Sequence, residues 1–293
     1  MVIAFINQKG GCGKSSSCFH LAGAFALQGH RVVLIDADPQ GSLSQAFLGS
    51  STVEMLPADR TLAALFNDDS TTPQDLVIDT SIPNIALLPA NQHLARHNTP
   101  EPESFGLKQH VLAGFLEQRP AADITLIDCP PNLYQCSWNA LVAADFLVIP
   151  VPPEDFGTQG LRAVHQAIDR ARLLNFRLRL LGHLVTRADR RLLVHQAYEH
   201  KLRQLYGDRV LQTVVPEATA FKMALVHREP VSHSAPDRSA TRASWPSTKS
   251  CPTHISREQN STPMPSSDWL RAFGTRDSFR QFTSGGPSHT PNG

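Results

Sequence analysis

Lys9-Gly10-Gly11-Cys12-Gly13-Lys14-Ser15 closely follows the apolar run Val2-Ile3-Ala4-Phe5-Ile6. A glycine-rich loop between a buried strand and a helix is a phosphate cradle. Its glycines let the backbone turn tightly enough for successive N–H groups, and the positive end of the next helix, to face one anion. Lys14 would reach the β- and γ-phosphates, and the Ser15 hydroxyl would help hold Mg²⁺. Against the pattern Gly-x-x-x-x-Gly-Lys-Ser/Thr, the first position is Gln8, while Gly10, Gly11 and Gly13 supply the flexibility. A second lysine, Lys9, opens the loop. From there it can reach a phosphate bound to another subunit, which would make nucleotide binding a signal for dimerisation.

Two further segments fall where nucleotide chemistry needs them. Arg31-Val32-Val33-Leu34-Ile35-Asp36-Ala37-Asp38-Pro39-Gln40-Gly41 is a β-branched strand ending in two carboxylates and a turn. Ile124-Thr125-Leu126-Ile127-Asp128-Cys129-Pro130-Pro131 is a second such strand, ending in one carboxylate and a rigid Pro-Pro. Carboxylates at the C-terminal ends of parallel strands face the crevice where open α/β sheets bind ligands. Asp128 is the natural partner for Mg²⁺, through water, because Mg²⁺ keeps several waters and takes few carboxylates. Asp38 is placed to orient or deprotonate an attacking water. Either aspartate alone could simply cap a turn, but three correctly ordered pieces point to one site.

Gln8-Lys9-Gly10-Gly11-Cys12-Gly13-Lys14-Ser15, Asp36-Ala37-Asp38-Pro39-Gln40-Gly41 and Asp128-Cys129-Pro130-Pro131 together resemble the ParA/MinD family of deviant Walker-type ATPases. The Asp-Pro-Gln-Gly segment is most similar to the ParA (Soj-like) DNA-partition branch. The resemblance continues through Ala144–Val151, Gly160-Leu161, Thr186–Arg190 and Pro230–His233, and ends near Ala243. It implies a P-loop NTPase fold over residues 1–243, with ATP and Mg²⁺ bound by Lys9, Gly10, Gly11, Cys12, Gly13, Lys14, Ser15 and Ser16. Lys9 and Lys14 would act on the phosphates, Asp38 would position water, and Ser15 and Asp128 would serve the metal. Thr186 and the loop at Pro216-Glu217 would meet the adenine. The resemblance further implies a homodimer formed on ATP, sequence-independent DNA binding, and slow hydrolysis stimulated by a ParB-like partner. Pro39–Gly41 and Cys129–Pro131 would be the segments sensing the γ-phosphate. Such a protein would be cytoplasmic and associated with the nucleoid.

Composition narrows the field without deciding it. The chain has 293 residues, 41% of them hydrophobic, and a formal charge of +1. Neither residues 1–234 nor residues 235–293 are basic enough to announce nucleic-acid binding by net charge, so DNA contact must come from a local patch. Arginines cluster at Arg170, Arg172, Arg177, Arg179, Arg187, Arg190, Arg191 and Arg203, with Arg228, Arg238 and Arg242 beyond. Of these, Arg187, Arg190 and Arg191 are the candidates for DNA phosphates. A strand beginning at Val2 gives the expectation of no cleaved leader, and no apolar run approaches the ~20 residues of a membrane span. Cys12, Cys18, Cys129, Cys136 and Cys251 lack paired metal-ligand spacing and read as reduced thiols rather than disulfides or an iron–sulfur site. His195, His200, His227 and His233 read as surface histidines.

Apolar runs at 2–7, 31–36, 85–89, 124–128, 146–151, 180–185 and 210–215 alternate with amphipathic stretches near 14–28, 107–118, 135–143, 158–174 and 189–206. Alternation of this kind predicts an α/β fold, a mostly parallel twisted sheet with helices on both faces. Residues 244–293 are rich in Pro, Ser and Thr without periodicity, and read as a low-complexity, disordered tail. Pro246 breaks the last helix that the resemblance implies. Two other readings stay open. One is a MinD-like positioning ATPase on a membrane, faintly echoed at Trp269-Leu270-Arg271-Ala272-Phe273. The other is a nucleotide-binding scaffold with little turnover.

Overall fold

The computed structural model describes residues 1–67, 76–119, 122–153 and 158–234. The expected tail, together with Arg238, Arg242 and Cys251, lies outside them. Among the described residues one sheet has the order β3-β4-β2-β5-β1-β6-β7-β8. Its strands are β1 (Val2–Phe5), β2 (Val32–Asp36), β3 (Ile78–Asp79), β4 (Ile85–Leu88), β5 (Ile124–Asp128), β6 (Phe146–Val151), β7 (Arg179–Ala188) and β8 (Val210–Pro216). All neighbouring pairs are parallel except β3 with β4.

The central strands are buried on both faces, as a parallel sheet covered by helices requires. Successive side chains alternate between two cores. Ala4 and Ile6 face one with Ile35, Ile127 and Trp138; Ile3 and Phe5 face the other with Phe19, Leu34 and Leu126. Helix α1 (Lys14–Leu27) supplies Phe19 and Phe25 to the second core, and α5 (Gln135–Ala143) and α6 (Thr158–Ala171) serve the first.

The register sets the chemistry. Phe5 and Asp36 both pair with Asp128, so β1, β2 and β5 end at one level. Strand β1 lies between β5 and β6, while β2 is reached across β5. The chain thus reverses its direction of winding beside β1, where a crevice opens.

Some boundaries differ from expectation. The stretch at 107–118 is a 3₁₀ segment, Pro102–His110, followed by α4 (Val111–Glu117), with Gly106 at φ +54° breaking the first part. Helix α7 (Leu193–Tyr206) starts later than 189, because the Asp189 carboxylate accepts from the Arg191 N–H and closes a turn first. Helices α2 (Ser42–Leu48), α3 (Ser50–Met55), α8 (Thr219–His227) and α9 (Val231–Ser234) have no counterpart in the sequence reading.

Candidate functional site

The loop after β1 closes at Gly13, the residue preceding α1, with φ +91°; Gly11 has φ +68°. Both are left-handed conformations that glycine adopts without a Cβ penalty. No side chain caps α1, and its first turn carries no acid, so the loop and helix start present backbone N–H groups. Lys14 is buried; its Nζ donates to Lys9 O at 3.2 Å and lies 3.8 Å from Cys12 Sγ.

The three aspartates are fully or almost fully buried but differ in employment. Asp36 accepts from Ser44 N (2.8 Å), Ser44 Oγ (2.7 Å) and Asp38 N (3.1 Å), which makes it a brace for α2. Burial nevertheless pushes its carboxyl up to about 7. Asp38 forms a turn with Gln40 N (3.0 Å) and lines the cavity described below. Asp128 is completely buried, and neither carboxylate oxygen has a hydrogen-bond partner of good geometry, although Ser15 lies beside it. Desolvation, and secondarily Asp36, hold its carboxyl well above the usual range; Ser15 and Lys14 oppose them. An orphaned carboxylate beside a hydroxyl is a donor set that fits a hard, oxygen-seeking cation.

A cavity of about 440 Å³ opens over the loop, lined by Gly10 to Ser17, Asp38, Pro131, Thr186, Arg187, Pro216 and Glu217. Phe221, Lys222 and Leu225 of α8 and His20 of α1 also line it. The residues expected to bind ATP or the metal therefore meet in one place except two, and of the segments expected to sense the γ-phosphate only Pro131 lines the cavity. Lys9 does not line the cavity, and Asp128 lies beneath the loop rather than on its wall. Sequence reasoning missed His20 and the α8 residues. Nothing local marks α8, and His20 gains its place through Val231, whose N–H donates to His20 Nδ1 at 3.2 Å across 211 residues. His20 Nε2 is buried without a partner, and burial pushes its pKa down to about 3.

The three arginines expected at DNA are separated. Arg187 turns to the loop: Nη1 donates to Gly11 O at 2.9 Å and Nε pairs with Glu217 at 3.0 Å. Arg190 and Arg191 are exposed, with Arg191 paired to Asp189 at 2.7 Å. Arg170, Arg172 and Arg203 pair with Glu103, Asp169 and Glu199. Among the described residues the cysteines are free and buried, and no group of three or more His, Cys, Asp or Glu is gathered for a metal. No described helix is long and apolar enough to cross a membrane.

Comparison with known proteins accords with this geometry. A family model described as an AAA domain matches residues 1–180. The chromosome-partitioning ATPase Soj of Thermus thermophilus is 33% identical over 240 residues, covering 80% of this chain and 90% of Soj. Among solved structures, cobyrinic acid a,c-diamide synthase of Mycobacterium smegmatis with bound ADP and magnesium is 28% identical, with a TM-score of 0.66 over 78% of this chain and 90% of that one. Apo McdA of Cyanothece, at 24% identity, shares the fold with a TM-score of 0.69 over 80% of this chain and 93% of its own. With the lysine-led loop, the paired acidic strand ends and these relatives in agreement, the chain belongs to the ParA/Soj-type partition ATPases of the ParA/MinD deviant Walker family.

Proposed function

We propose that this protein is a DNA-partitioning ATPase that dimerises on ATP, binds DNA without sequence preference, and hydrolyses ATP when a ParB-like partner stimulates it. The observation carrying the reading is the convergence of Lys14, Ser15, Asp38 and the unpartnered Asp128 at the ends of three adjacent strands. Bound Mg²⁺–ATP supplies the γ-phosphoryl group and neutralises its developing charge. Gly10 to Ser16 cradle the phosphates, and Lys14 exchanges Lys9 O for a phosphate oxygen. Ser15 and Asp128 serve the metal, and Asp38 orients the attacking water. Pro216 stands on the wall where the base would lie, while the Thr186 hydroxyl is engaged with the loop at Cys12 O. Lys9, absent from the cavity wall, is left for a second subunit's nucleotide. Arg190 and Arg191 are the exposed candidates for DNA phosphates, and the working location is the nucleoid.

Asp38→Ala tests the reading. It removes the water-orienting carboxylate and leaves the cradle, so hydrolysis falls while the ATP-bound form stays on DNA. Turnover assayed with DNA and partner, alongside DNA retention, checks this. Hydrolysis near the unsubstituted rate would remove Asp38 from catalysis.

A further inference from the structure

Thr186 and Arg187, consecutive residues near the end of β7, bond consecutive carbonyls of the phosphate loop. Thr186 Oγ1 donates to Cys12 O at 2.7 Å, and Arg187 Nη1 donates to Gly11 O at 2.9 Å. Arg187 has φ +55°, an uncommon conformation for a residue with a side chain. Its guanidinium is fixed from behind by Glu217, which in turn binds Lys222 at 2.6 Å. Thr186 is also the residue that a Cβ on Gly13 would meet, at 3.5 Å.

The trans peptide unit explains what these bonds do. The carbonyl of one residue and the N–H of the next point in opposite directions across one plane. Holding Gly11 O toward Arg187 therefore directs the Cys12 N–H to the opposite side of the loop, and holding Cys12 O toward Thr186 does the same for the Gly13 N–H. Glycines at 10, 11 and 13 leave these planes free to flip, and a flipped plane would present a carbonyl to an anion.

The geometry points to Thr186 and Arg187 as positioning residues, a staple that holds the phosphate loop in its anion-accepting form before ligand arrives. The staple serves the polyphosphate irrespective of the base. It rests on the reading of the loop as a triphosphate cradle, and it gives Thr186 and Arg187 roles other than adenine and DNA contact.

The test measures binding of Mg²⁺–ATP and of inorganic tripolyphosphate to the full chain by calorimetry, for Thr186→Val, Thr186→Ser, Arg187→Met and Arg187→Lys. Thr186→Val loses the bond to Cys12 O, and Arg187→Met those to Gly11 O and Glu217; each weakens both probes alike, on the order of tenfold. Thr186→Ser, which keeps the hydroxyl, restores both affinities. If Thr186→Val weakens ATP but not tripolyphosphate, Thr186 reads the base and the staple is overturned. If Arg187→Met leaves both probes unchanged, the arginine half of the staple falls; Arg187→Lys separates the fork from its charge. Should Thr186→Val not fold, the serine and Arg187 variants decide alone. An unsubstituted protein that binds neither probe overturns the cradle itself, a result distinct from any of these.

Discussion

Lys14 and Lys9 meet through a backbone atom: the Lys14 ammonium rests on the Lys9 carbonyl. Substituting the Lys9 side chain leaves that resting place intact, whereas removing Lys14 takes away the cation facing the phosphates. Lys14→Ala is therefore expected to abolish ATP binding, and Lys9→Ala to retain it while losing the ATP-dependent dimer. Light scattering with a non-hydrolysable analogue distinguishes them; a Lys9→Ala dimer would end the cross-subunit role. The cradle was legible because its residues are neighbours in the chain, and the acidic strand ends because each closes a β-branched run. The partners of Gly11 and Cys12 were not, since Arg187 and Thr186 stand 176 and 174 residues away and nothing in the local sequence announces a hydrogen bond to a carbonyl. Asp36 and Asp38 also look alike in sequence. Only the Ser44 donors separate the brace from the group lining the cavity.

At the scale of elements, the seven apolar runs all became strands, the central ones because a strand buried on both faces must be apolar throughout. Strand β3 is two residues long and antiparallel at the sheet edge, too short to carry a period. Helices α2 and α3 are seven and six residues long, too short to show a helical period in the sequence, although Gly41 and Gly49 mark their starts. Gly41 has φ +63°, and a Cβ there would lie 2.6 Å from the Ala90 carbonyl oxygen, a backbone atom that cannot swing aside. Gly41→Ala is expected to cost on the order of 1–3 kcal/mol, read as a lowered denaturation midpoint with an unchanged denaturant slope. Buried histidines give these elements a pH dependence. Burial holds His20 down to about 3 and His183, tied through Nδ1 to Arg209 O, down to about 4, against an ordinary value of 6.5. Below 6.5 the unfolded chain takes protons that these native histidines refuse, so their contribution to stability is full above that pH and falls as pH drops toward 4, while the raised carboxyls of Asp36 and Asp128 act in the opposite sense. His20→Asn, which keeps an acceptor for Val231 N, isolates the His20 share: as pH drops from 6.5 toward 4, the denaturation midpoint of the unsubstituted protein should fall relative to that of the variant.

For the whole molecule, binding to nucleic acid must come from local charge, since the formal total is only +1. Phosphate contacts release counterions, so retention on random-sequence DNA should fall on the order of a hundredfold between low and physiological salt. It should require ATP rather than ADP, because pairing two subunits doubles a small patch. Reversing Arg190 and Arg191 should weaken DNA retention without altering nucleotide affinity; equal retention with both nucleotides would count against the partition reading. The arginine cluster seen in sequence overstated this surface, because adjacency in the chain does not reveal that Arg170, Arg172 and Arg203 are already matched by carboxylates. One long-range contact bears on how the molecule is made. The loop and α1 leave the ribosome well before α8, yet the cavity wall needs Phe221 and Leu225, and His20 needs Val231, 211 residues later. Contacts of such sequence separation slow folding. A nascent chain stalled before α8 would hold a phosphate loop and most of a sheet while its cavity still lacked a wall, so capture of nucleotide must wait until synthesis has passed Val231.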